Sequence, residues 1–193
     1  IALGGGVGVI LGLVSGYSGR KVDSLIQRGV EVILAMPTIL VALVFVFTVG
    51  RSFESVMFIL SPFLAARFTR IVRGETLSIR ERDFVAVAKV IGTPAWMILL
   101  RHILPNVFNT VIVLATLEVG HLILLEASLS FLGVGVPPPH PAWGLMVAGG
   151  REFISSAYWI ALFPGLAILF AVLSINLFGD WLRDTLDPRR RQL

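Results

Sequence analysis

The sequence predicts an all-α, polytopic membrane protein with about five transmembrane helices. Of its 193 residues, 56% are hydrophobic and only 15% charged, with a mean hydropathy of +0.89. That balance suits hydrocarbon better than water. Apolar runs occupy residues 1–18, 32–50, 55–66, 107–125 and 153–179, with Glu118 the one charge among them. Each is long enough, or nearly so, for a membrane helix of about 20 residues. If these runs alternate in direction, residues 18–31, 67–105 and 180–193 share one side and hold 14 of the 16 Lys and Arg, leaving Arg51 and Arg151 opposite. The positive-inside rule then expects the carboxyl terminus, the loop 74–105 and the basic residues 189–191 in the cytoplasm, with 127–152 external. The net charge of +4 and the pI of about 10.3 therefore report topology, and nucleic acid is not expected as a partner.

The first run carries Gly4, Gly8, Gly12 and Gly16. Spaced by four, they form a small-residue face on which another helix packs closely. A phosphate loop is the rival reading, but no Gly-Lys-Ser/Thr follows, so no ATP site is expected in this chain. The chain opens inside an apolar run with neither a methionine nor a basic leader, which suggests a fragment lacking its true amino terminus. It has no cysteine, hence no disulfide or thiolate metal site. Pro37 falls inside the second run, where a kink is tolerated. Arg67, Arg70 and Arg73, spaced by three after the third run, read as side chains snorkelling to headgroups.

Residues 84–106, FVAVAKVIGTPAWMILLRHILPN, interrupt this apolar pattern. Ser78-Ile79-Arg80-Glu81 has the capping-box form, placing a helix start near Ile79. Phe84, Val87, Ala88 and Ile91 follow at i, i+3, i+4 and i+7, one apolar face. Gly92 suits a left-handed helix end, with Thr93 as N-cap and Pro94 as the first residue of a second helix running to about Leu104. The result is a helix–glycine–helix element. It fits equally an amphipathic helix in the headgroups and a docking knob for a soluble partner.

This segment resembles the EAA loop of ABC importer permeases: Glu-Ala-Ala, three residues, Gly, nine residues, an apolar position, any residue, Leu-Pro. Here Ala86-Val87-Ala88 takes the triplet, Gly92 the glycine, and His102-Ile103-Leu104-Pro105 the close. Residues 126–153, EASLSFLGVGVPPPHPAWGLMVAGGREF, and 161–191, with the closing GDWLRDTLDPR, are similar to the end of permeases in the dipeptide, oligopeptide and nickel importer group. The resemblance covers almost the whole chain; relative to a six-helix permease, the first span is missing. It implies a transport subunit rather than an enzyme, in the inner membrane of a bacterium or archaeon. The implied partners are a second homologous permease, two cytoplasmic ATPases and an external solute-binding protein. By the same resemblance, Ala86, Val87, Ala88, Gly92, His102, Leu104 and Pro105 couple to the ATPase. Ala86 replaces the family's glutamate, so that carboxylate is unavailable for an ion pair. The substrate, whether dipeptide, oligopeptide, nickel or another solute, does not follow from the chain.

The remaining polar residues have local readings. Pro137, Pro138, Pro139 and Pro141 stiffen the external loop toward polyproline II, and Trp143 and Trp159 suit the interface. Resemblance places this loop beneath the binding protein; a plain turn is the alternative. Glu118 and His121 share a helix face and form a structural pair or line the path, with Glu126 nearby. A carboxylate at mid-bilayer costs about 2.5–3.5 kcal/mol, so Glu118 should face protein or water. With His102 and His140 on opposite sides, too few ligands converge for a metal. Gly16-Tyr17-Ser18-Gly19 has the Gly-x-Ser-Gly form of rhomboid intramembrane proteases, the contrasting class. Arg20 and Lys21 place Ser18 at the membrane boundary while His121 lies within a later span, which argues against a nucleophile–base pair.

Overall fold

The structure of the chain, a computed structural model, describes residues 1–186; the closing Asp187-Pro188-Arg189 and the basic residues 189–191 lie outside the described residues. All regular elements within them are helical. In order these are α1 (Ala2–Tyr17), α2 (Arg20–Ala35), α3 (Thr38–Val49), α4 (Phe53–Arg80), α5 (Asp83–Val90), α6 (Ala95–Ile98), a π turn (Leu99–Ile103) and α7 (Leu104–Phe131). There follow α8 (Trp143–Gly150), a 3-10 turn (Arg151–Phe153), α9 (Ile154–Ala157) and α10 (Trp159–Leu186).

Three stretches among the described residues are long and apolar enough to cross a membrane: Glu54–Arg80, Ala95–Phe131 and Trp159–Leu186. A fourth is counted if α2 and α3 form one broken span. Each of the five apolar runs does form helix, but two differ from a simple span. The first yields only 16 residues. The second breaks at Met36-Pro37: the proline ring disfavours helical dihedrals at Met36, and Pro37 itself is extended with ψ 109°. The remaining 12 residues of α3 reach about 18 Å, short of a full hydrocarbon core. Within residues 127–152, α7 runs on to Phe131 and Trp143–Gly150 is helical.

The chain divides into two units. One comprises Ile1–Ala35, Ser61–Ala115 and the end of α10 from Trp181. Its organising contact is α1 against α4. A Cβ added at Gly4 would lie 2.7 Å from the Ser61 carbonyl oxygen, at Gly8 2.5 Å from Phe68 Cβ, at Gly12 2.6 Å from Val72 Cβ, and at Gly16 2.6 Å from Thr76 Cβ. Four glycines at every fourth position therefore seat four successive turns of α4, in the small-residue manner of membrane helices. Leu13, Val72, Ile79, Val85, Ile103 and Val107 continue this core to the loop after α4.

The other unit comprises Met36–Leu60 and Thr116–Asp180. Ala42 and Val46 of α3, Val56 of α4, and Leu129 with Val134 at the end of α7 form its core. Close approach recurs at Gly144 against the Ala127 carbonyl and at Gly150 against Ala161.

Adding a methyl group on the glycine stripe should overfill the α1–α4 contact. Gly12→Ala is expected to cost about 1–3 kcal/mol, whereas Gly6→Ala, where no atom lies within 4 Å of the new Cβ, should be neutral. Thermal inactivation of the purified full-length protein distinguishes the two; equal midpoints would mean that the stripe is not a tight interface.

Candidate functional site

The helix–glycine–helix segment starts later than the capping-box reading expects. Helix α4 continues through Arg80, and α5 begins at Asp83 after Arg82, whose extended dihedrals serve as N-cap without a side-chain bond. Ser78 and Glu81 thus sit at the end of one helix instead of the start of another, because Ile79 is drawn into the α1–α4 core. Helix α5 then ends on Gly92, with φ of 81°. The Thr93 N–H donates to the Ala88 carbonyl at 3.0 Å and the Gly92 N–H to the Lys89 carbonyl at 3.1 Å. This is the Schellman arrangement, which satisfies two terminal carbonyls and needs a residue tolerant of positive φ.

The second helix also departs from expectation. Pro94, not Thr93, is the N-cap, and the helix does not stop before Pro105. It passes through the π turn Leu99–Ile103 into α7. Pro105 has no N–H to donate and its ring crowds the carbonyl one turn earlier; a widened turn accommodates both defects. The Asn106 side-chain amide donates to the His102 carbonyl at 2.7 Å, covering a carbonyl of that turn.

Packing decides which side of α5 faces the protein. Val85 and Ala88 are buried against Leu13, Val72, Ile98 and Ile103. Of the apolar face read from the sequence, Phe84, Val87 and Ile91 are exposed and only Ala88 is buried. Phe84 lies 6.3 Å from the His102 ring, joining the two arms, and Lys89 Nζ sits 5.8 Å from the centre of the Tyr17 ring on α1. Of the residues assigned to coupling, Ala88 is buried, His102 and Leu104 are half-buried, and Ala86, Val87, Gly92 and Pro105 are exposed. The outward surface includes residues the sequence reading missed: Val90, 87% exposed, and Trp96, 61% exposed, beside Ile91 at 74%. Their only signal was an apolar residue on each side of the glycine that the i, i+3, i+4 pattern did not use.

A polar clamp, also missed, holds α2 in the same unit. Arg73 grips Asp23 through both nitrogens, Nε to Oδ1 at 2.5 Å and a terminal nitrogen to Oδ2 at 2.6 Å. Ser15, fully buried on α1, donates to Asp23 Oδ1 at 2.6 Å and accepts from Gln27 Nε2 at 3.0 Å. Arg80 donates to the Gly16 carbonyl at 2.9 Å. Arg73 therefore does not snorkel; its partner is 50 residues away in sequence. The Arg73 guanidinium lowers the Asp23 carboxyl to about 2, with Ser15 helping against the cost of burial. Asp23 lies in the first turn of α2, outside the apolar runs of the sequence.

In the second unit, Glu118 is buried and His121 half-buried on α7, and Asn176 of α10 packs on Gly120 between them, its Oδ1 2.9 Å from where a Cβ would be. Glu126 accepts from Ser130 Oγ at 2.5 Å. Helix α7 ends on Gly133, φ 77°, with the Val134 N–H on the Leu129 carbonyl at 2.9 Å. Leu129 and Val134, both buried, pack beside this cap. The following proline segment borders a cleft of about 740 Å³ lined by Glu54, Glu126, His140, Trp143 and Met146.

The family described as binding-protein-dependent transport system inner membrane component matches residues 8–192. The chain is similar to the dipeptide transport system permease protein of Alkalihalophilus pseudofirmus, 43% identical over 184 residues, which are 95% of this chain and 60% of that protein. It is also similar to the glutathione transport system permease protein of Pectobacterium atrosepticum, 40% identical over 183 residues, 95% of this chain and 61% of that one. The chain thus spans about three-fifths of the length of these relatives.

Removing one half of the clamp leaves a charge facing a half-buried site. Asp23→Asn and Arg73→Gln are each expected to destabilise, with a coupling of about 1.5–3 kcal/mol in a double-mutant cycle read from thermal inactivation. Additive effects would mean that the contact is not formed. Because the Asp23 value is depressed, its stabilisation is full above about pH 4 and is lost as pH falls through about 2. The wild type should therefore lose midpoint temperature over that interval more steeply than Asp23→Asn.

Proposed function

The chain belongs to the family of binding-protein-dependent transport system inner membrane components, and from that premise we propose that it forms part of the translocation path of an ABC importer for peptides or a related small solute. Peptide cargo is favoured over nickel by the dipeptide and glutathione transporters among its relatives. In this reading the chain hydrolyses no ATP; it works with a second homologous permease, two cytoplasmic ATPases and an external binding protein. The loop 74–105 and the carboxyl terminus face the cytoplasm and 127–152 the outside. Glu118, His121 and Glu126 supply polar groups to the translocating helices.

The observation that carries this reading is the Gly92 cap with the apolar knob around it. Val87, Val90, Ile91 and Trp96 protrude from an element whose other face is anchored by Val85, Ala88, Ile98 and Ile103. A knob built in this way transmits force, because it cannot swing without disturbing the α1–α4 core. Docking rests on apolar contact, consistent with Ala86 in place of a carboxylate.

Two experiments test it. Gly92→Val should strain the left-handed cap by about 1–2 kcal/mol and re-aim α5. The expected outcome is normal membrane level and pairing with the second permease, but loss of ATPase co-purification and uptake; full retention of both would reduce the loop to a headgroup-bound helix. Single cysteines at Ser78 and His140 should label from opposite sides of the membrane, and labelling from the same side would refute the orientation.

A further inference from the structure

We propose that the cleft between α2 and α4 binds the headgroup of an aminophospholipid, a phosphate diester bearing a primary ammonium. The cleft has a volume of about 640 Å³ and lies wholly within the first unit. One wall is rigid, because Arg73 and Asp23 are locked together and neutralise each other. Three further charged side chains line it: Arg28 and Glu31 from α2, and Arg70 from α4. All three are exposed, and none takes part in an ion pair or hydrogen bond among the described residues. The cleft therefore offers two free guanidinium groups and one free carboxylate.

That set is complementary to a zwitterion. Guanidinium forks bind phosphate oxygens bidentately, and a carboxylate answers an ammonium group. A purely anionic ligand would meet Glu31 as a repulsive neighbour. Val30, Leu34 and Ala35 complete the lining and give the start of acyl chains apolar contact.

A second observation points to lipid. Val22, Leu25 and Val32 are exposed on α2, at positions i, i+3 and i+10, and Leu25 is 74% exposed. Positions 22, 25, 29 and 32 fall on one helix face, with Gly29 completing it. A helix that buries only Val30 in protein yet carries such a stripe belongs in a bilayer interface. Basic pockets beside membrane helices at that level are suited to headgroups. The site rests on the chain being a membrane component and does not depend on the ATPase assignment.

The test uses the full-length permease in its assembled transporter, delipidated in mild detergent and titrated with phosphatidylethanolamine, phosphatidylglycerol or inorganic phosphate, with bound species counted by native mass spectrometry. Phosphatidylethanolamine should bind, and Arg28→Gln with Arg70→Gln should weaken it about tenfold or more. Glu31→Gln should weaken phosphatidylethanolamine but leave phosphatidylglycerol unchanged or strengthened. If the paired substitution impairs assembly, Arg70→Gln alone carries the same expectation with a smaller loss. Phosphatidylethanolamine binding indifferent to the arginines would overturn the site. Equal binding of both lipids, unaffected by Glu31→Gln, would overturn the recognition of the amine. Arginine-dependent binding of inorganic phosphate that displaces the lipid would assign the site to a soluble phosphate instead.

Discussion

The close approach of α1 to α4 is the contact on which the rest of the first unit depends. In hydrocarbon there is no hydrophobic drive to bring two apolar helices together, so association relies on dispersion and on bringing backbones near enough to gain it. Gly4, Gly8, Gly12 and Gly16 remove every side chain from one face of α1, and α4 fills that face with Leu64, Phe68, Val72 and Thr76. A stripe of alanines would already push the helices apart. Polar side chains are then admitted at little cost: Thr69 bonds the Ala65 carbonyl one turn back, and Ser15 serves Asp23.

Everything at one end of the unit is built on that pair. The Asp23–Arg73 bond forms only where α1 and α4 are close, since Ser15 on one helix and Arg73 on the other approach the same carboxylate. Arg80 reaching the Gly16 carbonyl ties the final turn of α4 to the end of α1. Val85 and Ala88 then dock on Leu13, Val72 and Ile79, so the short α5, too brief to be stable alone, inherits its position from the membrane helices. The knob and its anchor thus share one mechanical body.

Two Schellman caps divide the labour of turning the chain. At Gly92 the following residue is Thr93, and no buried apolar contact closes the cap; the apolar side chains beside it remain outward. At Gly133 the following residue is Val134, which packs with Leu129 in the second core. Apolar side chains before the glycine are exposed at both caps, Ile91 at one and Leu132 at the other, but only the second cap is followed by a buried apolar residue.

Much of this was legible in the residues. Hydropathy placed helix in each of the five apolar runs, although three or four spans rather than five result among the described residues. The four-residue glycine spacing named the packing face of α1, and Gly92 announced its own left-handed turn. These are local properties, set by transfer energy, the absence of a Cβ, and the dihedrals a residue tolerates. The errors share another cause. Ser78 and Glu81 form a sound capping box in isolation, but burying Ile79 in the α1–α4 core outweighed it. The apolar face read at Phe84, Val87 and Ile91 is exposed, but the sequence did not say what anchors the opposite side of α5; contact with Leu13 and Val72 selected Val85 and Ala88. Pro105 looked like a helix end, yet the π turn before it carries the chain onward into α7. The Asp23–Arg73 clamp had no signal at all across 50 residues. Composition and spacing by themselves determined that this chain is a helical membrane protein with a glycine-broken loop; which face of that loop is buried and which charges are paired was decided by tertiary structure, because burial and pairing depend on neighbours distant in sequence.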